Sequence, residues 1–214
     1  MELLEAYKKN PCGVLSIPYW KHKRIAIPAT MKILHGNDYA SDRYKEYRDE
    51  PFFRLYHSLK NIETVAVPNI AIKTAMLDDI PVLADVINQS YTDLSVTVEQ
   101  LNGYTQTEAY CPQLWIMAVD NVSSVVVGCG MADFDREAGG GSIEWVQVIP
   151  AYRRKKIGQL IVNELLNRMT AIADFAELGK TDKFYADLAE ICAKNNGIWS
   201  DEAEEYVLKN APKI

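Results

Sequence analysis

Four consecutive cations, Arg153, Arg154, Lys155 and Lys156, run straight into apolar residues at Val162, Leu165, Met169 and Ile172. That three- and four-residue spacing predicts a helix over residues 153–172, with all four cations in its first turn. A helix N-terminus carries unpaired N–H groups and a partial positive charge, so each cation there costs up to about 1 kcal/mol. No clear capping side chain relieves the cost, because Pro150, Ala151 and Tyr152 come just before. The local electrostatics are wrong for a bare helix and right for one that holds an anion such as a phosphate. Two other readings stand beside this one: a solvated basic patch, or a nuclear-import-type run. An import signal sits in a flexible segment, whereas this run enters an apolar stripe. Gly158 falls on the stripe and predicts a close approach of helix to strand.

The elements that must position this turn read as follows. Residues 143–148 make a strand ahead of it. Residues 2–9 suggest a helix, and residues 24–27 and 31–34 suggest short strands around Pro28. Residues 41–50 are charged, and Phe52, Phe53, Leu55, Tyr56 and Leu59 give a small helical face. From residue 69 the pattern is regular. Residues 70–74 alternate as a strand. Asp78 or Asp79 caps a helix with Pro81 in its first turn and with Val82, Leu83, Val86 and Ile87 along one face. Thr97 caps a second helix over residues 97–104. Residues 114–119 and 124–133 are strands around a turn, and Gly139, Gly140 and Gly141 close another hairpin. Residues 175–178 suggest a short strand, residues 182–194 a helix, and residues 205–208 a last strand. This order predicts an α/β fold: a mixed, mostly antiparallel central sheet with helices on both faces. It divides into an N-terminal extension of unknown role (residues 1–68) and a domain over residues 69–214.

Composition narrows the chemistry. A net charge of −6 argues against general nucleic-acid binding, which needs an excess of Lys and Arg. Cys12, Cys111, Cys129 and Cys192 are widely spaced, and His22, His35 and His57 lack ligand spacing, so no metal site is expected. No apolar run reaches the roughly 18 residues that a membrane span needs, and residues 1–10 carry no apolar signal core. The chain reads as cytoplasmic, with reduced thiols and no membrane partner.

Val148-Ile-Pro-Ala-Tyr-Arg-Arg-Lys-Lys-Ile-Gly158 resembles motif A of the GNAT N-acetyltransferase superfamily, V-x-P-x-Y followed by R/Q-x-x-G-x-G/A. Val148, Pro150, Tyr152, Arg153 and Gly158 match, and Lys156 stands where the first glycine is usual. The element order fits this GNAT-like acyltransferase fold from about residue 70 to residue 197. The resemblance implies acetyl-CoA as cosubstrate. Backbone amides of the turn formed by Arg153, Arg154, Lys155, Lys156, Ile157, Gly158 and Gln159 would hold its pyrophosphate. Backbone groups of Val146 and Val148 would pair with its pantetheine arm, and the Lys156 ammonium would meet the phosphate directly.

Acetyl transfer to an amine needs a base for the amine proton and a proton for the leaving thiolate. Strand alternation puts Ser142, Glu144, Val146 and Val148 on one face and Ile143, Trp145 and Gln147 on the other. Glu144 then shares a side with the residues assigned to pantetheine, which makes it the candidate general base; the alternative is a plain strand carboxylate. Many family members carry a Tyr general acid in a final L-Y-x-K-x-G-F segment. Here that stretch reads Ile191-Cys-Ala-Lys-Asn-Asn-Gly-Ile198. Cys192 lies nearest the Tyr position, and Tyr185 lies seven residues earlier on the same helix face, so these are the two candidate acids. Asp133, Asp135, Glu137 and Glu144 cluster around one hairpin, either as a hydrophilic turn or as an attraction for a cationic amine. The expected activity is direct acetyl transfer, in a ternary complex, to a small-molecule amine or an exposed peptide amino group. The competing reading is a catalytically silent CoA-binding sensor or interaction module.

Overall fold

The computed structural model describes residues 2–11, 31–35, 38–45, 47–92, 94–181 and 200–210. The chain divides into two compact units, Met1–His57 with Glu177–Ile214, and Ser58–Ala176. The second unit contains β3 (Ile70–Thr74), α2 (Ile80–Ser90), α3 (Val98–Tyr104), β4 (Tyr110–Asp120), β5 (Val126–Asp135), β6 (Gly140–Val148) and α4 (Ile157–Met169). Its strands lie in the order β6-β5-β4-β3, each pair antiparallel. A further strand, β7 (Phe175–Thr181), begins inside this unit. The Asp174 N–H donates to the Gly139 carbonyl at 2.8 Å, which sets the start of β7 beside the start of β6. The β6–α4–β7 connection is the crossover that parallel strands require. The fold is therefore α/β, with a mixed, mostly antiparallel sheet packed by helices.

Helices cover both faces of the sheet in the second unit. On one side Leu83, Ala84, Val86 and Ile87 of α2 and Leu101 of α3 pack with Trp115, Met117, Val119, Cys129 and Met131. Val82, expected on that buried face, is exposed instead. Burial drives the Cys129 thiol up to about 12, so it behaves as a small apolar residue. On the other side α4 buries Ile157, Ile161, Val162, Leu165, Leu166 and Met169, each worth about 1.5–3 kcal/mol relative to exposure. The close approach expected at Gly158 occurs elsewhere. A Cβ at Gly158 would lie 4.0 Å from Val148, an ordinary contact. One at Gly130 would collide with Ile161 and come within 3.0 Å of Leu165 Cδ1. It is β5, not the helix, that gives up its side chains.

Thr97 caps α3 as expected, accepting from the Gln100 N–H at 3.1 Å while the Gln100 side chain accepts from the Thr97 N–H at 2.8 Å. The start of α2 differs. Asp79 makes no capping bond to α2. Its carboxylate accepts from the Met76 N–H at 2.8 Å and closes the 3₁₀ turn Leu77–Asp79 ahead of the helix.

The first unit contains α1 (Glu2–Lys9), β1 (Met31–His35), β2 (Tyr47–His57) and β8 (Ser200–Asn210), and most of β7. Its strands lie in the order β1-β8-β2-β7, with β8 antiparallel to both β1 and β2. The helical face expected at Phe52–Leu59 is thus overturned, since residues up to His57 lie in an extended strand. Leu55 and His57 are buried and Tyr56 between them is less so, the period-two pattern of a strand. Tyr7 of α1 is fully buried and donates its hydroxyl to Glu177 Oε2 at 2.9 Å. The strand expected at residues 24–27 and the helix expected at residues 182–194 lie outside the described residues.

Candidate active site

The site is built at the junction of β6 and α4. After Val148 the chain makes a 3₁₀ turn, Pro150–Tyr152. The Tyr152 hydroxyl donates to Asp120 Oδ2 at 2.8 Å, pinning the turn to the β4–β5 connection. Asp120 also accepts from the Val122 N–H at 2.9 Å. That bond foremost, then the Tyr152 hydroxyl, holds the Asp120 carboxyl below its ordinary range. Arg153 donates from Nε to the Val148 carbonyl at 3.1 Å and from Nη2 to the Ser90 carbonyl at 2.7 Å. Ser90 ends α2, so this guanidinium sits at the negative end of a helix dipole.

Arg154 (φ 63°) and Lys156 (φ 64°, ψ 10°) both take left-handed backbone. This corrects the helix start. Left-handed residues cannot belong to a right-handed helix, so α4 begins at Ile157, and the four cations form a turn ahead of it rather than its first turn. Lys156 becomes the N-cap, with no side chain capping the helix. The first bond of the helix runs from the Leu160 N–H to the Lys156 carbonyl at 3.0 Å. The N–H groups of Ile157, Gly158 and Gln159 therefore have no acceptor within the helix. The Lys155 ammonium lies 4.5 Å from the Tyr152 ring centroid. The left-handed angle at Lys156 gives a physical reason for glycine at that motif position: the turn needs a positive φ.

β6 carries a second correction. Met131 pairs with Trp145 and Ala132 with Ile143, so Glu144 is an extra residue in a β-bulge. A bulge shifts the alternation by one. Ser142 Oγ donates to Glu144 Oε1 at 2.6 Å, so those two do share a face. Beyond the bulge Trp145 packs on the α2 side, and Gln147 accepts there from Cys129 Sγ at 3.3 Å. Val146 lies opposite Gly130, whose missing side chain would point into α4. Glu144 thus lies on the α2 side, with Trp145 and Gln147, and not with Val146 and Val148. The acidic hairpin is more enclosed than its composition suggests: Asp133 and Asp135 are buried, and Asp135 Oδ1 accepts from the Ala138 N–H at 2.7 Å.

The structure brings Val148, Arg153, Arg154, Lys155, Lys156, Ile157, Gly158 and Gln159 together at one turn. Tyr185 and Cys192 lie outside the described residues. Sequence reasoning missed the Arg153–Ser90 and Tyr152–Asp120 contacts, which join positions 63 and 32 residues apart and leave no local signal. Among the described residues no group of three or more His, Cys, Asp or Glu side chains could hold a metal ion. Nor is any helix there long and apolar enough to cross a membrane.

The layered sheet, with β6 running into a left-handed turn and an uncapped helix, defines an α/β fold with a mixed, mostly antiparallel sheet packed by helices. Residues 83–185 match the model described as the Acetyltransferase (GNAT) family. A GCN5-related N-acetyltransferase from Sphaerobacter thermophilus is similar in structure over 87% of this chain and 63% of its own, with a TM-score of 0.71 and 17% identity. A GCN5-related N-acetyltransferase from Kribbella flavida is similar over 85% and 68%, with a TM-score of 0.57 and 12% identity. At such identities the likeness is one of fold, and it extends well beyond the segment that matches the family. The uncharacterized protein YggP of Escherichia coli K12 is 48% identical over 50 residues, 23% of this chain and 12% of its own. The chain therefore spans less than two thirds of the Sphaerobacter chain and a small part of the E. coli protein.

Proposed function

We propose that the chain is an acetyl-CoA-dependent N-acetyltransferase that moves the acetyl group to a primary amine, on a small molecule or an exposed amino group, by direct attack in a ternary complex. The observation that carries this reading is the uncapped N-terminus of α4, framed by a left-handed Lys156 and flanked by further cations. Three N–H groups without an intrahelical acceptor, together with cationic side chains, suit a pyrophosphate. Arg153 serves the site differently from its neighbours. Its guanidinium is spent on two carbonyls, so it fixes the turn while the backbone amides, Lys156 and Lys155 face the anion. Bound acetyl-CoA supplies the activated thioester.

Glu144 is the proposed general base, taking the amine proton directly or through water. Its bond from Ser142 holds the carboxylate oriented, and the bulge turns it to the side away from α4. Backbone groups of Val146 and Val148 remain the proposed partners of the pantetheine arm, a role that does not depend on which way their side chains point. Tyr185 and Cys192 remain the proposed proton donors to the departing thiolate. The proposed domain is residues 69–214, with residues 1–68 as an extension.

The test is calorimetric titration with acetyl-CoA, then release of free CoA measured against a panel of amines. The reading expects binding, turnover of at least one amine, and a fall of about 10²–10⁴-fold in turnover for Glu144→Gln with binding retained. Binding without turnover of any amine, with Glu144→Gln indistinguishable from the parent, makes the chain a silent CoA-binding module instead.

A further inference from the structure

Three tyrosines of the first unit gather beside one lysine. Lys32 lies on β1, Tyr44 follows the 3₁₀ turn Ser41–Arg43, and Tyr47 opens β2. The register explains why they meet. Lys32 pairs with Leu208 and Tyr47 with Asn210, two positions apart on β8, so Lys32 and Tyr47 stand on one face of the sheet. The Tyr47 N–H donates to the Tyr44 carbonyl at 2.8 Å, which ties the second ring to the first. Their ring centroids lie 6.2 Å apart with the planes at 71°, so the two rings form the walls of a corner. Tyr39 lies parallel to Tyr44, at 11° and 6.3 Å, and extends the aromatic surface. All three tyrosines are half-buried, while Lys32 is exposed. Its ammonium stands over both walls, 5.1 Å from the Tyr47 centroid and 5.9 Å from the Tyr44 centroid.

Those distances decide what the corner fits. A nitrogen in direct contact with a ring would stand about 3.5–4 Å from it. A methyl carbon touches at that same distance, and its bond to nitrogen adds about 1.5 Å, so a methylated nitrogen stands about 5–5.5 Å away. The Lys32 nitrogen lies at the second distance from Tyr47 and slightly beyond it from Tyr44. The corner is therefore spaced for a layer of methyl groups that the lysine lacks. Hydration points the same way. A lysine ammonium is strongly hydrated and keeps its water at an exposed site, whereas a quaternary ammonium has no N–H to solvate and gains from aromatic walls. We propose that Tyr44 and Tyr47 form a binding corner for a quaternary ammonium group, and that Lys32 is its built-in competitor, displaced when such a ligand enters. The site lies on the first unit and needs no part of the acetyl-transfer reading.

The test follows the methyl proton resonance of tetramethylammonium by NMR as the full chain is added, with ammonium chloride as the control cation. Methyl groups seated over ring faces shift upfield. Lys32→Gln removes the competing cation at an exposed position and should bind tetramethylammonium about three- to fivefold more tightly than the parent, the strength of one exposed cation–π contact. Adding Tyr47→Leu should weaken that binding about tenfold, because one of the two walls is gone. An equal concentration of ammonium chloride should leave the shifted resonance in place. No upfield shift with Lys32→Gln overturns the proposal, as does binding by Lys32→Gln no tighter than by the parent, or displacement of the probe by ammonium. These three outcomes do not depend on the Tyr47→Leu variant folding. Choline and an N-trimethyllysine peptide are then offered in turn to Lys32→Gln. The one that displaces tetramethylammonium at the lower concentration names the source of the group, and displacement by neither overturns the proposal.

Discussion

Lys156 offers a direct measurement of what the turn costs. Its backbone is left-handed, at φ 64° and ψ 10°, where an L side chain is disfavoured by about 1–2 kcal/mol. Glycine escapes that penalty but gives up about 0.4–1 kcal/mol through the greater freedom of its unfolded chain. The difference predicts that Lys156→Gly is more stable than Lys156→Ala by about 1 kcal/mol. Both variants lose the ammonium, so the comparison cancels the charge term and isolates the Cβ. For a chain of this size, 1 kcal/mol moves the thermal midpoint by about 2–4 °C. Differential scanning calorimetry on the unliganded proteins reads this directly. The same pair titrated with CoA should bind equally and more weakly than the parent, because both lack the cation and both keep the amides. Equal melting temperatures for the alanine and glycine variants would refute the reasoning, since no left-handed strain would then reside at this residue.

Three further outcomes follow from the packing. Gly130→Ala should cost about 1–3 kcal/mol in urea unfolding, because its Cβ collides with Ile161; Gly103→Ala, with nothing within 4 Å, should instead gain about 0.5–1 kcal/mol. Arg153→Ala should speed hydrogen exchange at the end of α2 and in the residues after Ser90, since it removes the bond to the Ser90 carbonyl; unchanged exchange with weakened CoA binding would mean that the guanidinium serves the phosphate after all. Burial lowers the pKa of His57 from its usual 6.5. The unfolded chain then binds the proton more readily than the folded one, so the stability linked to this group is full above about pH 6.5 and is lost as pH falls below it. Thermal midpoints from pH 7.5 down to 5 should drop, and His57→Phe should flatten that drop.

The fold was legible where local rules act alone. The Thr97 cap of α3, the β3 strand and the Val162, Leu165 and Met169 stripe of α4 each depend on residues within a few positions of one another, and each formed as read. The mismatch between four cations and a helix start pointed to the junction where the turn ahead of α4 lies. The details that failed are those decided at a distance. β2 is extended because β8, far along the chain, supplies its hydrogen bonds. The face of Glu144 changed because one extra residue in β6 is invisible without the pairing to β5. The start of α4 moved because left-handed angles at Arg154 and Lys156 belong to residues whose types do not announce them. Gly158 matched a motif, yet the steric need for glycine lay in β5, at a position that only the packing of Ile161 reveals.

The placement of β8 between β1 and β2 has a consequence for biosynthesis. β2 ends at His57, while its partner β8 begins only at Ser200. At roughly 5–20 residues per second, a ribosome leaves β1 and β2 waiting on the order of ten seconds for the strand that pairs with both. Through that interval the nascent chain carries two unpaired strand edges, a template for association with other chains. The Ser58–Ala176 unit, by contrast, is made as one continuous stretch and can collapse while the rest is still being translated. Recovery of soluble protein should therefore respond to translation speed and to chaperones that shield strand edges, and the sensitive segment is the one made ahead of the Ser58–Ala176 unit.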